Sequence, residues 1–240
     1  MAHVSKRPAL VATCTVVIIA GGALALWSAN QTSTSQSQAE EPTSTMATTC
    51  DAAGQGSHVE ISCPLVDQNE EGAAMGCEAA AAYMALRAKG HLEGWSFLDF
   101  IDTMPYADDG NPYHGYVGDP WKDSEAFDGM MASAVADWTN AYTDGSCTDI
   151  TGCTEEDLIG ALEAGDPCIV WVSGGFSPTW RVDDWFGPSL MGEHAVTLVG
   201  YDPDGPSFLV ADPGTGTAYW VGWDTFAASW ECVRNAVRVS

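Results

Sequence analysis

The hydrophobic pattern changes its period once along the chain. Up to about residue 165, apolar residues are spread at helical spacing. Beyond it they come in short runs rich in β-branched and aromatic residues. GCEAAAAYMALRAK (76–89) predicts a helix, because alanine is the best helix former. Arg87 and Lys89 suit its negative C-terminal end, and Gly90 suits a left-handed stop. EGWSFLDFIDTM (93–104) predicts a second helix. DSEAFDGMMASAVADWTNAY (123–142) predicts a helical stretch interrupted at Gly129. TEEDLIGALEAG (154–165) opens on a Thr154 cap with acids in the first turn and ends at Gly165. PCIVWVS, EHAVTLVGYD, SFLVAD and AYWVGW then predict strands, with the last three separated by the turn sequences DPDGP and DPGTG. DTFAASW predicts a short helix and NAVRVS a final strand. Helices followed by an antiparallel meander define an α+β pattern, with the small alanines of 76–89 letting that helix pack closely on the sheet.

The N-terminal quarter carries different information. Lys6 and Arg7 precede an apolar run from Pro8 to Trp27, so residues 1–29 read as a signal peptide or an N-terminal membrane anchor. Either one places the rest of the chain outside the cell, at its surface or secreted. Residues 30–57 are rich in Ser, Thr and Gln and read as a flexible tether, with Asn30-Gln31-Thr32 matching a glycosylation acceptor. The folded domain is expected over 58–240. Two of the eight basic residues lie before residue 30, which leaves six against all 33 acids. Such a balance argues against a nucleic-acid partner, whose phosphates need basic contacts, and suits a solvated acidic surface.

Eight cysteines include Cys14 in the apolar segment, so seven lie in the exported part. Exported thiols tend to pair. Cys50 with Cys63, Cys147 with Cys153 and Cys168 with Cys232 make three plausible bridges, and the odd count leaves Cys77 free. Cys77 stands in the first turn of the 76–89 helix, where unpaired N–H groups and the positive dipole end favour a thiolate. Glu78 follows it, but adjacent helix residues are expected to face apart.

A thiol of that kind becomes a nucleophile when an imidazole takes its proton, a third group orients the imidazole, and donors receive the oxyanion. His194 opens a predicted strand and Asp212 ends the next, and neighbouring antiparallel strands can set such a pair side by side. Gln68, nine residues before Cys77, can fold an amide back over the site. Each has a plain structural alternative: a packed thiol, a core histidine, a turn-forming Asp-Pro-Gly, a surface glutamine. His114, in the turn-rich loop NPYHGYVGDPW, is the competing histidine. Asp202-Pro203-Asp204-Gly205 reads as a hairpin turn rather than a calcium loop.

QNEEGAAMGCEAAAAYMAL, NPYHGYVGDPW, GEHAVTLVGYD, FLVADPGTG and FAASW occur in an order that resembles the C39-like cysteine peptidase family, over nearly all of residues 58–240. The resemblance implies a papain-like cysteine peptidase fold, with the helix that carries the cysteine packed on an antiparallel sheet. It implies Cys77 as nucleophile, His194 as base, Asp212 as orienter, and Gln68 with the Cys77 N–H as oxyanion donors. Family members often carry Leu-Pro-Thr where this chain has Ala73-Ala74-Met75. The expectation is an exported hydrolase of peptide or isopeptide bonds acting on a peptide or protein substrate, touching the membrane by its N-terminal segment alone and needing no metal or other cofactor. A cell-wall amidase or acyl transferase on the same fold, and an inactive surface-binding module, are the rival readings.

Overall fold

The computed structural model describes residues 57–124 and 127–240. The segment 1–29, the tether except its last residue, the Asn30 acceptor and Cys50 lie outside the described residues. The elements run β1 (Val59–Glu60), α1 (Cys77–Ala88), α2 (Phe97–Ile101), α3 (Ala132–Asn140), β2 (Cys147–Asp149), α4 (Glu155–Glu163) and β3 (Cys168–Ser173). After them come β4 (Arg181–Asp184), β5 (Gly187–Leu190), β6 (Glu193–Asp202), β7 (Ser207–Asp212), β8 (Thr217–Gly222), α5 (Trp223–Trp230) and β9 (Ala236–Val239).

The main sheet is antiparallel in the order β2-β9-β3-β6-β7-β8, with β1 on the far end of β6. The meander expected from the sequence is β6-β7-β8, while β9 returns to the other side of β3. Both faces of the sheet are covered. Alternation along β3 sends Ile169 and Trp171 into one cluster with the alanines of α1, with α2 and with α3. It sends Cys168, Val170 and Val172 into another with α4 and α5. This double burial explains why β3 reads as an unbroken apolar run.

Helix α1 lies against β6. Its residues Ala79 to Ala82 are fully buried, and Thr197 donates its buried hydroxyl to the Ala81 carbonyl at 2.8 Å. The far end of α1 is clamped by Asp166, which accepts from Lys89 Nζ at 2.7 Å and from Arg238 Nε at 2.9 Å. Two of the few basic side chains thus meet one buried carboxylate, which they hold below the usual range against the opposing effect of burial. The N-terminal end of α1 is thereby left at a defined place on the sheet.

Several expectations need correction. The second helix is only five residues long, because Ser96 and Asp99 form a reciprocal cap that starts it late, and Pro105 follows soon after its end. The third starts at Ala132 and not before Gly129. Gly129 instead exchanges both backbone hydrogen bonds with Val117, at 2.9 and 3.0 Å. The β4–β5 hairpin was not foreseen, since WRVDDWFGPSL mixes exposed tryptophans and charges without alternation. The Cys147–Cys153 and Cys168–Cys232 bridges are absent, because Cys63, Cys77, Cys147, Cys153, Cys168 and Cys232 are thiols, and the Cys50–Cys63 pairing falls on Cys50, outside the described residues. Cys168 is wholly buried in the sheet, whereas Cys232 lies partly exposed beyond α5. The unpaired state of Cys77 therefore does not distinguish it by count.

Candidate active site

Cys77 is the first residue of α1, behind an N-cap Gly76 that offers no side-chain cap. The N–H groups of this first turn have no partner within the helix. Parity along β6 turns Ala195 and Thr197 toward α1, and Ala195 shares a buried cluster with Cys77. The thiol is thus held against the residue that follows His194. It is nearly covered, at 9 % exposure.

His194 and Asp212 meet directly, with Nε2 and Oδ1 2.7 Å apart. The register explains this. Thr197 pairs with Ala211, so His194 and Asp212 occupy one face of adjacent strands, diagonally related. Two further donors fix the carboxylate: the Tyr219 hydroxyl gives 2.6 Å to Oδ2, and the Gly214 N–H gives 2.8 Å to Oδ1. Burial alone pushes Asp212 up. The hydrogen bonds from His194 and Tyr219, the charge attraction of the imidazole and the Gly214 N–H outweigh burial and hold it below the usual carboxylate range. Gly214 is needed here for its lack of a side chain, because a Cβ would sit 3.2 Å from His194 Cε1, His194 Nε2 and Asp212 Oδ1. With Nε2 committed to Asp212, the ring's other nitrogen, Nδ1, is the one left to exchange a proton.

Gln68 lies in the same cleft, 4 % exposed. Its Nε2 donates to the Ala74 carbonyl at 2.8 Å, and its backbone N–H donates to Pro213 O at 2.9 Å, which ties it to the turn after Asp212. An amide nitrogen carries two hydrogens, so one remains for a ligand. Gln68, Ala74, Glu193, His194, Asp212 and Tyr219 line a cleft of about 410 Å3. The Ala73-Ala74-Met75 approach to the helix is braced from the turn-rich loop: the Met75 N–H donates to Pro120 O at 3.0 Å, and the Tyr116 hydroxyl donates to Met75 O at 2.6 Å. That loop is therefore a support for the segment leading to Cys77. His114 within it is exposed and bonded to Asp109 at 2.9 Å, outside the cleft lining. The Asp202–Gly205 stretch is the β6–β7 turn, closed by Asp204 N–H onto Asp202 Oδ1 at 3.0 Å. Among the described residues no group of three or more His, Cys, Asp or Glu side chains could hold a metal ion.

Two carboxyls near the sulfur were missed in the sequence. Glu78 was expected to face away from Cys77. Its Oε2 instead stands 3.3 Å from Sγ, and its Oε1 accepts the Met130 N–H at 3.0 Å. The long glutamate stem curls around the helix start toward a donor on another segment, which helix-face arguments do not capture. Glu193 shares the parity of Ala195 and so faces α1, and its Oε2 is buried with no hydrogen-bond partner. Burial pushes Glu193 well above its ordinary value, and Glu78 adds to this. Burial also pushes the Cys77 thiol well up, the charge of Glu78 adds to it, and the Ala195 N–H offsets only part.

Residues 60–237 match the Peptidase_C39 like family, and the chain belongs to it. It is similar to the uncharacterized protein YvpB of Bacillus subtilis (strain 168), at 26 % identity over 137 residues, which is 53 % of this chain. The match spans only about half of that relative, 54 % of its length. A crystal structure of a protein described as a C39-like peptidase from Bacillus anthracis superposes with a TM-score of 0.62 and 22 % identity, covering 77 % of this chain and 98 % of that one. That likeness carries the fold: α+β and papain-like, with the cysteine-bearing helix packed on an antiparallel sheet. The family is one of C39-like peptidases.

Proposed function

We propose that this chain is an exported cysteine peptidase that cleaves peptide or isopeptide bonds through Cys77, His194 and Asp212, with Gln68 as an oxyanion donor. The observation that carries the reading is the His194–Asp212 pair at 2.7 Å, with Tyr219 and Gly214 locking the carboxylate, while the thiol at the start of α1 packs in one buried cluster with Ala195, the residue after His194. Asp212 accepts the Nε2–H of His194 and so fixes the tautomer with a basic Nδ1. Nδ1 takes the Cys77 proton as the sulfur attacks the carbonyl carbon. The oxyanion is received by the Cys77 backbone N–H and the second Gln68 amide hydrogen. The tetrahedral intermediate collapses as Nδ1–H protonates the leaving amine, and a thioester remains on Cys77. Water then gives a proton to Nδ1, attacks the thioester and releases the acid, and the thiol is restored by that proton.

Export rests on the basic-then-apolar pattern of residues 1–29 and the tether that follows. The same segment supplies the proposed surface anchoring. The test is digestion of a complex peptide mixture, with new termini read by mass spectrometry. Wild type should generate them, while Cys77→Ala and His194→Ala should fall to background and Gln68→Ala should lose about 100-fold in kcat. New termini at an equal rate in Cys77→Ala would remove the reading.

A further inference from the structure

The environment of the Cys77 sulfur contains a group with no place in the scheme above. Glu78 is 2 % exposed, and both of its oxygens are committed, one to the Met130 N–H and one to the sulfur. The pocket around it is shaped to this carboxyl: a Cβ on Gly129 would stand 2.7 Å from Glu78 Oε1. A hydrogen at the 3.3 Å Sγ–Oε2 contact can run in either direction. An ionised carboxylate can only accept it, which fixes the proton on sulfur. A neutral carboxylic acid can donate to a thiolate.

We propose that Glu78 is a catalytic proton switch on the nucleophile: neutral, its Oε2–H donates to the Cys77 thiolate and keeps the sulfur reactive; ionised, it accepts the S–H and holds the sulfur silent. The proposal rests on Cys77 being the nucleophile. The proton balance is simple. In the active state Glu78 keeps its own proton and the thiol proton passes to His194. In the silent state Glu78 has lost one proton to solvent and the sulfur retains its own. Burial favours the neutral form of Glu78, against the Met130 N–H and the attraction of His194. The groups that act on the pair are Cys77 on α1 itself, His194 and Glu193 on β6, and Tyr116 from the bracing loop, itself influenced by Asp128. Glu193 repels a charge on Glu78, and an imidazolium at His194 attracts one. Rising pH that ionises Glu78 therefore switches the sulfur off before the thiol ionises alone.

The test is the rate of iodoacetamide alkylation at Cys77 between about pH 4 and 10, read by mass spectrometry of the peptide that carries it. In wild type the rate should rise, then fall or flatten as Glu78 ionises, then rise again at high pH. Glu78→Gln keeps an acceptor for the Met130 N–H and cannot titrate. It should show one rise and react at least about tenfold faster than wild type around pH 8, since a like charge at this range moves a thiol by a unit or more. Identical profiles for wild type and Glu78→Gln overturn the proposal. His194→Ala removes the acceptor of the thiol proton and the attraction it exerts on Glu78, so the rate below the break should drop there. Glu78→Gln, with His194 in place, should remove the break, and a break that persists unchanged in Glu78→Gln belongs to the imidazole and also overturns the proposal. These rates need no peptide substrate, so a chain that fails to cleave peptides refutes the peptidase reading without deciding the switch.

Discussion

Tyr219→Phe isolates the geometry on which the His194 ring depends. The substitution removes only the hydroxyl that donates 2.6 Å to Asp212 Oδ2, leaving the His194 and Gly214 bonds to Oδ1 in place. A hydrogen bond to a buried charge contributes about 1.5–3 kcal/mol. Tyr219 is only partly buried, so water can replace some of this, and about 1–2 kcal/mol of lost stability at pH 7 is expected. The loss has a sign in pH. Asp212 is held below its ordinary value of 3.8, so its ionised form stabilises the fold above that pH and the contribution is lost as pH falls through the folded value. The cost of the mutation should shrink in the same window. Urea unfolding of both chains at pH 7 and at stepped lower pH measures it. The same variant should lose kcat by about tenfold with little change in KM, because the carboxylate that orients the imidazole has one restraint fewer. A cost near zero at pH 7, or one that does not shrink as pH falls through the acid range in which Asp212 protonates, would refute the account of Asp212.

The remaining predictions are shorter. Asp212→Asn retains an oxygen that can accept from His194, so its kcat should exceed that of Asp212→Ala by about tenfold or more in peptide hydrolysis. Asp166→Ala leaves Lys89 and Arg238 without their shared partner. Both cations have some access to water, so the cost should be near 2 kcal/mol by chemical denaturation, short of that for a sealed ion pair. Under denaturing, non-reducing conditions, Cys63, Cys77, Cys147, Cys153, Cys168 and Cys232 should each alkylate fully without prior reduction, read by mass spectrometry. Protection of any two of them together would restore a bridge.

Much of the fold was legible because it rests on local signals. The α1 helix, the Thr154 cap and the β6–β7–β8 meander follow from propensity, capping and turn residues, and they appear within a residue or two of expectation. Where tertiary partners decide, the sequence was silent. Gly129 and Met130 look helical, but their backbone N–H groups are taken by Val117 and Glu78. Tyr219 is an ordinary strand residue until the β7–β8 register sets it diagonally across from Asp212. Glu78 shows why face arguments weaken at a helix start, where a long side chain can curl back to its neighbour. The thiols carry a further lesson. Parity pointed to Cys77 through three bridges, two of which, Cys147–Cys153 and Cys168–Cys232, are absent among the described residues, while its position at the start of α1 needs no such count.

The most direct measurement is acid quenching of the chain during turnover of a peptide mixture, followed by mass spectrometry of the fragment that carries Cys77. An acyl adduct on that sulfur, released by hydroxylamine and missing in His194→Ala, is the predicted result. Continued cleavage with the Cys77 fragment unmodified at every quench time would contradict it.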